Sequence, residues 1–121
     1  MRPMSDAHAP SPTGVWLVHD DQVLASLEVA DSWRSRSKGL LGRDGFDGAI
    51  LLRPAKSVHT FRMRFAIDVA HVDTDLKVLH LCTMVPNRLG RPVWGADAVI
   101  ECEAGALQRW GVRVGDQLEI R

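Results

Sequence analysis

The feature that most constrains this chain is residues 58–73, VHTFRMRFAIDVAHVD, where apolar, cationic and acidic side chains interleave at strand period. Side chains alternate across an extended strand. Phe61, Met63, Phe65, Ile67 and Val69 are therefore expected on one face, with Thr60, Arg62, Arg64 and Asp68 on the other. A charged row backing an apolar row lets an antiparallel strand present polar chemistry while anchored in a core. Sixteen residues exceed the usual strand length, so a bend or bulge is expected near Arg64.

The rest of the chain supplies partners for such a strand. Residues 1–13, rich in Pro, Ser and Ala, read as a disordered tail, and residues 14–121 as one domain. Residues 15–18 and 23–30 are short strands around Asp20-Asp21, a hairpin signal. Asp31 or Ser32 can cap a helix over residues 33–41, with Gly42 ending it and Arg43 following. Residues 49–52 form a wholly apolar strand stopped by Pro54. After a hairpin loop at Asp73, Thr74, Asp75 and Leu76, residues 77–85 form a strong strand. Residues 86–95, with two prolines and two glycines, form an irregular loop in which Trp94 is the aromatic of interest. A strand over 98–102, a short helix over 104–110 closed by Gly111, and a last strand over 117–120 complete the chain. Successive strands without long helices between them imply an α+β domain. Its sheet is expected to be mostly antiparallel and strongly curved or barrel-like, with about seven short strands and two short helices.

At 121 residues the chain is long enough for a single sizeable core. Its formal net charge is zero, which argues against nucleic acid as the main partner. The charge is nevertheless uneven. Residues 34–64 hold eight Lys/Arg against two Asp, a local excess that can attract anions. Cys82 and Cys102 are too few for a disulfide framework and read as buried free thiols. The first residues have no apolar signal region, and no apolar run is long enough to span a membrane. A cytoplasmic location is the expectation, with no membrane partner.

Gly39-Leu40-Leu41-Gly42-Arg43, then His59-Thr60-Phe61 with Met63-Arg64-Phe65 and Ile67-Asp68, then Glu101 before Ala104-Gly105, and a closing Gly115-Asp116, make an ordered set of motifs. In that order they resemble domain-of-unknown-function family 192, an uncharacterised prokaryotic family. The resemblance covers about residues 23–120 and implies a small, largely antiparallel α+β domain. It brings no established activity, cofactor or catalytic residue. Many members resemble exported or anchored proteins, a signal this chain lacks. Many also have a tryptophan, a cation and an asparagine around the methionine, where this chain has Arg62, Arg64 and Phe65. Leu76 stands where members often have glycine, and positive φ there would cost on the order of 1 kcal/mol.

Three functional readings follow. The first is a non-enzymatic binding module. His59, Thr60, Arg62, Arg64 and Asp68, bordered by Arg43 and Trp94, would form a concave polar face for a small anionic ligand or an acidic segment of another protein. The second is a small enzyme with Asp68 as general base, assisted by His59 or by Cys82 and His80. The Cys82/His80 version depends on the hairpin register. If Asp73 pairs with Lys77, Asp68 lies opposite Cys82 and the three side chains share a face. If Asp73 pairs with Leu76, the trio dissolves. The third is an accessory protein that binds a partner through a sheet edge. Asp68 among apolar neighbours equally suits a structural ion pair or a carboxylate held by amides. His71 and His80 could chelate across strands, but no third ligand stands out, and no metal or cofactor is called for. Oligomeric state is not legible.

Overall fold

The computed structural model describes residues 14–30 and 47–121. The expected tail, the helix over 33–41 and Arg43 lie outside the described residues. Seven strands make up the described part: β1 (Trp16–His19), β2 (Gln22–Ala30), β3 (Ala49–Leu52), β4 (Ile67–Val72), β5 (Val78–Met84), β6 (Ala98–Glu103) and β7 (Leu118–Ile120). One short helix, α1 (Ala106–Arg109), precedes β7.

The strands join in one sheet in the order β5-β4-β6-β3-β2-β1-β7. All neighbours are antiparallel except β2 and β3, which pair in parallel from Leu27–Ala49 to Ala30–Leu52. The sheet is therefore mixed, and the described domain is predominantly β rather than a balanced α+β fold. Parallel neighbours need a long crossover, and residues 31–48 are long enough to provide it. The ladder does not close into a barrel. Its two ends are tied at one corner, where Val78 N–H donates to Asp116, Gly115 N–H to Val78 and Leu118 N–H to Leu76.

Central strands β3, β4 and β6 are buried on both faces. That explains the uninterrupted apolar run at 49–52, since a strand covered on both sides has no reason to alternate. One face carries Leu17, Leu27, Leu51, Ala70, Val72, Ile100 and Leu118, with Leu107 of α1 packed onto them. The other carries Ile50, Leu52, Ile67, Val69, Met84 and Val99, with Met63 packed against them.

Asp20 and Asp21 both have positive φ, 50° and 64°, the turn that suits the right-handed twist of a tight hairpin. At the β4–β5 hairpin, Asp73 N–H donates to Lys77 and the Asp73 carboxylate accepts from the amides of Asp75 and Lys77. Leu76 occupies the left-handed position at φ 69° yet is buried among core residues. Burial of its side chain offsets the strain that glycine would avoid.

The long strand expected over 58–73 is not formed. The regular strand begins only at Ile67. Residues 55–60 instead run antiparallel to residues 88–97 in an irregular ribbon, held by Ala55 N–H to Asp97, Val93 N–H to Lys56, Gly90 N–H to Val58 and Thr60 N–H to Arg88. Gly90 permits this approach, because a Cβ there would lie 2.7 Å from the Val58 carbonyl oxygen. The expected break near Arg64 is thus a whole turn, closed by Met63 N–H to Thr60.

Candidate functional site

Thr60 is the pin of the ribbon. It is fully buried, and its hydroxyl donates to Val85 at 2.7 Å while accepting from Arg88 N–H at 2.9 Å. Its carbonyl accepts from both Met63 and Asn87. A threonine committed in this way cannot donate to a ligand. The structure gives it a scaffold role in place of the expected contact role.

Around this pin the exposed side chains gather. His59 faces Leu89 in an isolated bridge and stacks on Phe61 with ring centroids 5.1 Å apart. Phe61 N–H donates to His59 Nδ1. Arg62 follows at φ 64°, third in the turn of residues 60–63, with its N–H held by the Asn87 side chain at 3.0 Å. That position favours glycine, so the arginine is kept against backbone strain. We expect Arg62→Gly to raise stability by about 1 kcal/mol, read as a higher thermal midpoint. An unchanged or lower midpoint would contradict the strain assignment.

His59, Thr60 and Arg62 are therefore brought together, and Arg64 leaves the same turn, exposed. Trp94 lies further along the ribbon, next to the Val93–Lys56 hydrogen bond, and is 95% exposed. It is no lid over the core. Leu89, at 73% exposed, and the partly exposed Val85 and Phe61 add apolar surface to the same region. Among the described residues the ribbon is a largely exposed surface.

Among the described residues the charges on the ribbon are of one sign. Residues 48–67 and 76–96 contain no Asp or Glu, and the ribbon brings these two acid-free segments together. Lys56, Arg62, Arg64, Arg88 and Arg91 are all exposed. Elsewhere cations meet carboxylates: Arg53 with Asp97, Arg109 with Glu103, and Arg121 with Asp21 and Glu119. Among the described residues no ion pair involves Lys56, Arg62, Arg88 or Arg91. Sequence reasoning missed Arg88 and Arg91. The signal was available as two long acid-free runs, whose meeting only the fold reveals.

Asp68 belongs elsewhere. It is buried at the start of β4, where it accepts from the Thr83 hydroxyl at 2.6 Å and from the amides of Gly105 and Leu107 at 3.0 and 3.2 Å. It thus fastens the turn into α1 and is not turned toward the ribbon. This is the carboxylate held by amides, the structural alternative for this residue.

The catalytic trio is not assembled. The loop does close with Asp73 beside Lys77, but a bulge at Leu79 shifts the pairing beyond it by one residue. Asp68 then pairs with Thr83, Cys82 with Val69 and His80 with His71. Asp68 faces one side of the sheet, while Cys82 packs on the other with Ile67 and Val69. Burial and the Asp68 charge push the Cys82 thiol up, away from the thiolate a nucleophile needs. Cys102 is fully buried and pushed up to about 12, burial being the main cause. Both thiols are free, with Cys82 only partly buried.

Glu101 is a second residue that sequence reasoning did not weigh as a site. It lies on β6 between Ile50 and Val69, 5% exposed, and burial pushes its carboxyl up to about 7. On another part of the surface, a cleft of about 560 Å³ is lined by Glu28, Asp47, Glu103, Arg109 and Trp110, with Ala25 and Ala49 at its base. None of the expected site residues that are described lines it. Among the described residues no helix is long and apolar enough to cross a membrane.

Comparison with known proteins places this geometry. The model of domain-of-unknown-function family 192, described as an uncharacterized ACR, matches residues 15–120. A UPF0127 protein of Pyrococcus abyssi is 31% identical over 98 residues, covering 77% of this chain and 84% of the relative. A UPF0127 protein of Pyrococcus furiosus is 30% identical over 103 residues, covering 81% and 89%. A crystal structure of a protein of unknown function from Novosphingobium aromaticivorans superposes with a TM-score of 0.77 at 21% identity, covering 98% of both chains. One from Sinorhizobium meliloti, offered as a candidate transcription regulator, superposes with a TM-score of 0.74 at 22% identity, covering 87% of this chain and 90% of that one. At such identities the two structures speak for the fold alone. With the motifs, the family model and the archaeal relatives in agreement, this chain belongs to the DUF192 family, which also carries the name UPF0127.

Proposed function

We propose that this protein is a non-enzymatic binding module that captures an acidic, partly apolar segment of another protein on the ribbon of residues 55–64 and 85–94. The observation that carries the reading is the cluster of exposed Lys56, Arg62, Arg64, Arg88 and Arg91, on two segments that contain no Asp or Glu, around exposed Phe61, Leu89 and Trp94. Exposed arginine supplies two-pronged donors for carboxylates. Exposed tryptophan supplies the aromatic anchor that dominates many protein interfaces. Small ligands are held by concave sites that bury most of their surface, whereas the described ribbon residues are largely exposed, which favours a longer segment over a small anion. An extended segment can engage cations and apolar groups spread along such a surface. Arg62 fits this reading further, since strained residues cluster where function needs them. The neutral net charge and pI near 7.0 favour a polypeptide over a nucleic acid, whose binders carry a basic footprint over the whole domain.

The test is fluorescence anisotropy of a labelled peptide of glutamates and leucines, with a single-stranded oligonucleotide in parallel. Wild type is expected to bind the peptide saturably and more weakly at high salt. Arg62→Glu/Arg88→Glu/Arg91→Glu is expected to weaken it by at least about tenfold through like-charge contacts. Trp94→Ala is expected to weaken it roughly fivefold or more. No peptide binding, or tighter binding of the oligonucleotide, sinks this reading.

A further inference from the structure

His71 is 3% exposed, and among the described residues neither of its ring nitrogens has a hydrogen-bond partner. A neutral imidazole carries one N–H donor and one lone pair, so both of its polar functions are buried unsatisfied. Native cores rarely leave such a group without a reason, and a bound ion is one of the few reasons available. What lies beside it matters. The bulge at Leu79 sets His71 directly opposite His80, with ring centroids 5.5 Å apart and planes at 63°. His80 is exposed, on the end strand β5 of the sheet, so its ring can turn with little obstruction.

We infer that His71 and His80 form a two-imidazole site for a transition-metal ion of the Cu(II), Ni(II) or Zn(II) class. Directly opposed strand residues hold their Cβ atoms about 4.5–5.5 Å apart. Metal–imidazole bonds of about 2.0–2.1 Å then let one ion sit between the two rings once His80 turns a nitrogen inward. Imidazole ligands select this class of ion over Mg(II) or Ca(II). Among the described residues no group of three His, Cys, Asp or Glu side chains could hold a metal, so water fills the remaining positions on the His80 side. Cys82 lies two residues along β5 on the same face, roughly 7 Å away along the strand, and packs against the core beside Ile67 and Val69. Such an ion would satisfy the His71 lone pair and cross-link β5 to β4. The site departs from the absence of metal expected from sequence.

The test uses untagged full-length protein titrated with Cu(II) and followed by electron paramagnetic resonance, with Zn(II) titrated in parallel by thermal shift. One Cu(II) per chain with nitrogen splitting from two imidazoles is expected, together with stabilisation by Zn(II). His80→Ala, at an exposed position that leaves the core intact, is expected to weaken both metals by at least the roughly tenfold that loss of even an outer-shell partner costs. Cys82→Ser is expected to leave both unchanged. Absence of metal binding by the wild type, binding unaltered in His80→Ala, or binding lost in Cys82→Ser would each overturn the site.

Discussion

Replacing Asp68 with alanine is expected to destabilise this protein by about 3 kcal/mol or more, lowering the thermal midpoint by roughly 10–15 °C. The carboxylate accepts from three donors, the Thr83 hydroxyl and the Gly105 and Leu107 amides, and each would lose its partner in a buried or part-buried setting. Hydrogen bonds to a charged acceptor are the strong ones, and unsatisfied buried donors carry their own penalty. The loss would not stay local. Gly105 has φ 91° at the entry to α1, and Leu107 of that helix packs into the main core cluster. Asp68→Asn is expected to be milder, since its amide oxygen can keep the Gly105 and Leu107 N–H donors while its nitrogen donates to the Thr83 hydroxyl, which can turn to accept. The measurement is thermal unfolding by circular dichroism. A variant within about 1 kcal/mol of wild type would show that these bonds do not hold the α1 turn.

Glu101 gives the second large effect, and its sign is opposite to that of a paired carboxylate. Burial raises its carboxyl from the ordinary 4.5 to about 7 in the folded protein. Between these values the folded state keeps a proton that the unfolded state has released. Stability is therefore full below about pH 4.5 and falls as pH rises through 7, by roughly 3 kcal/mol for this one group. His71 works the other way. Its lowered pKa contributes stability above 6.5 that is lost as pH falls through its folded value. The wild-type profile sums the two, so the informative comparison is with Glu101→Gln, which keeps the shape and removes the charge. Denaturant unfolding at pH 5 and pH 8 should find the variant more stable than wild type at pH 8 by about 3 kcal/mol, and little different at pH 5. An equal difference at both pH values would mean that Glu101 does not titrate near neutrality.

Much of the fold was legible because it rests on local rules. The apolar run of β3 was read at its true ends, and Asp20-Asp21 marked its hairpin. The family resemblance marked Leu76 as standing where glycine is common, and the structure puts it at positive φ. What could not be read depends on distant partners. The alternation over 58–66 looked like a strand, yet Thr60 finds its hydrogen bonds in residues 85–88, and that tertiary pairing overrides the pattern. The parallel pairing of β2 with β3 follows from where a crossover returns, which no strand period encodes. A single bulge at Leu79 produces a third pairing that neither weighed register gives, with Cys82 opposite Val69, and takes Asp68 away from Cys82.

The candidate site was legible in part for the same reason. His59, Arg62, Arg64 and Trp94 do sit on the ribbon, whereas Asp68 serves the core and Thr60 the scaffold. Arg88 and Arg91 lie in a loop that sequence alone marks only as irregular. Their value comes from the hydrogen bonds that lay that loop along residues 55–60. A surface of this kind forms from two segments some thirty residues apart, so neither segment announces it.

The central claim is that this ribbon is the contact surface. The most direct measurement is an amide ¹H–¹⁵N correlation spectrum of the wild type, recorded while the glutamate–leucine peptide is added at low and at high salt. The account predicts saturable shifts concentrated at residues 56–64 and 85–94, diminished by salt, with the Trp94 indole among the largest. Shifts centred on the Glu28, Asp47 and Trp110 cleft, or spectra unmoved by the peptide, would contradict it.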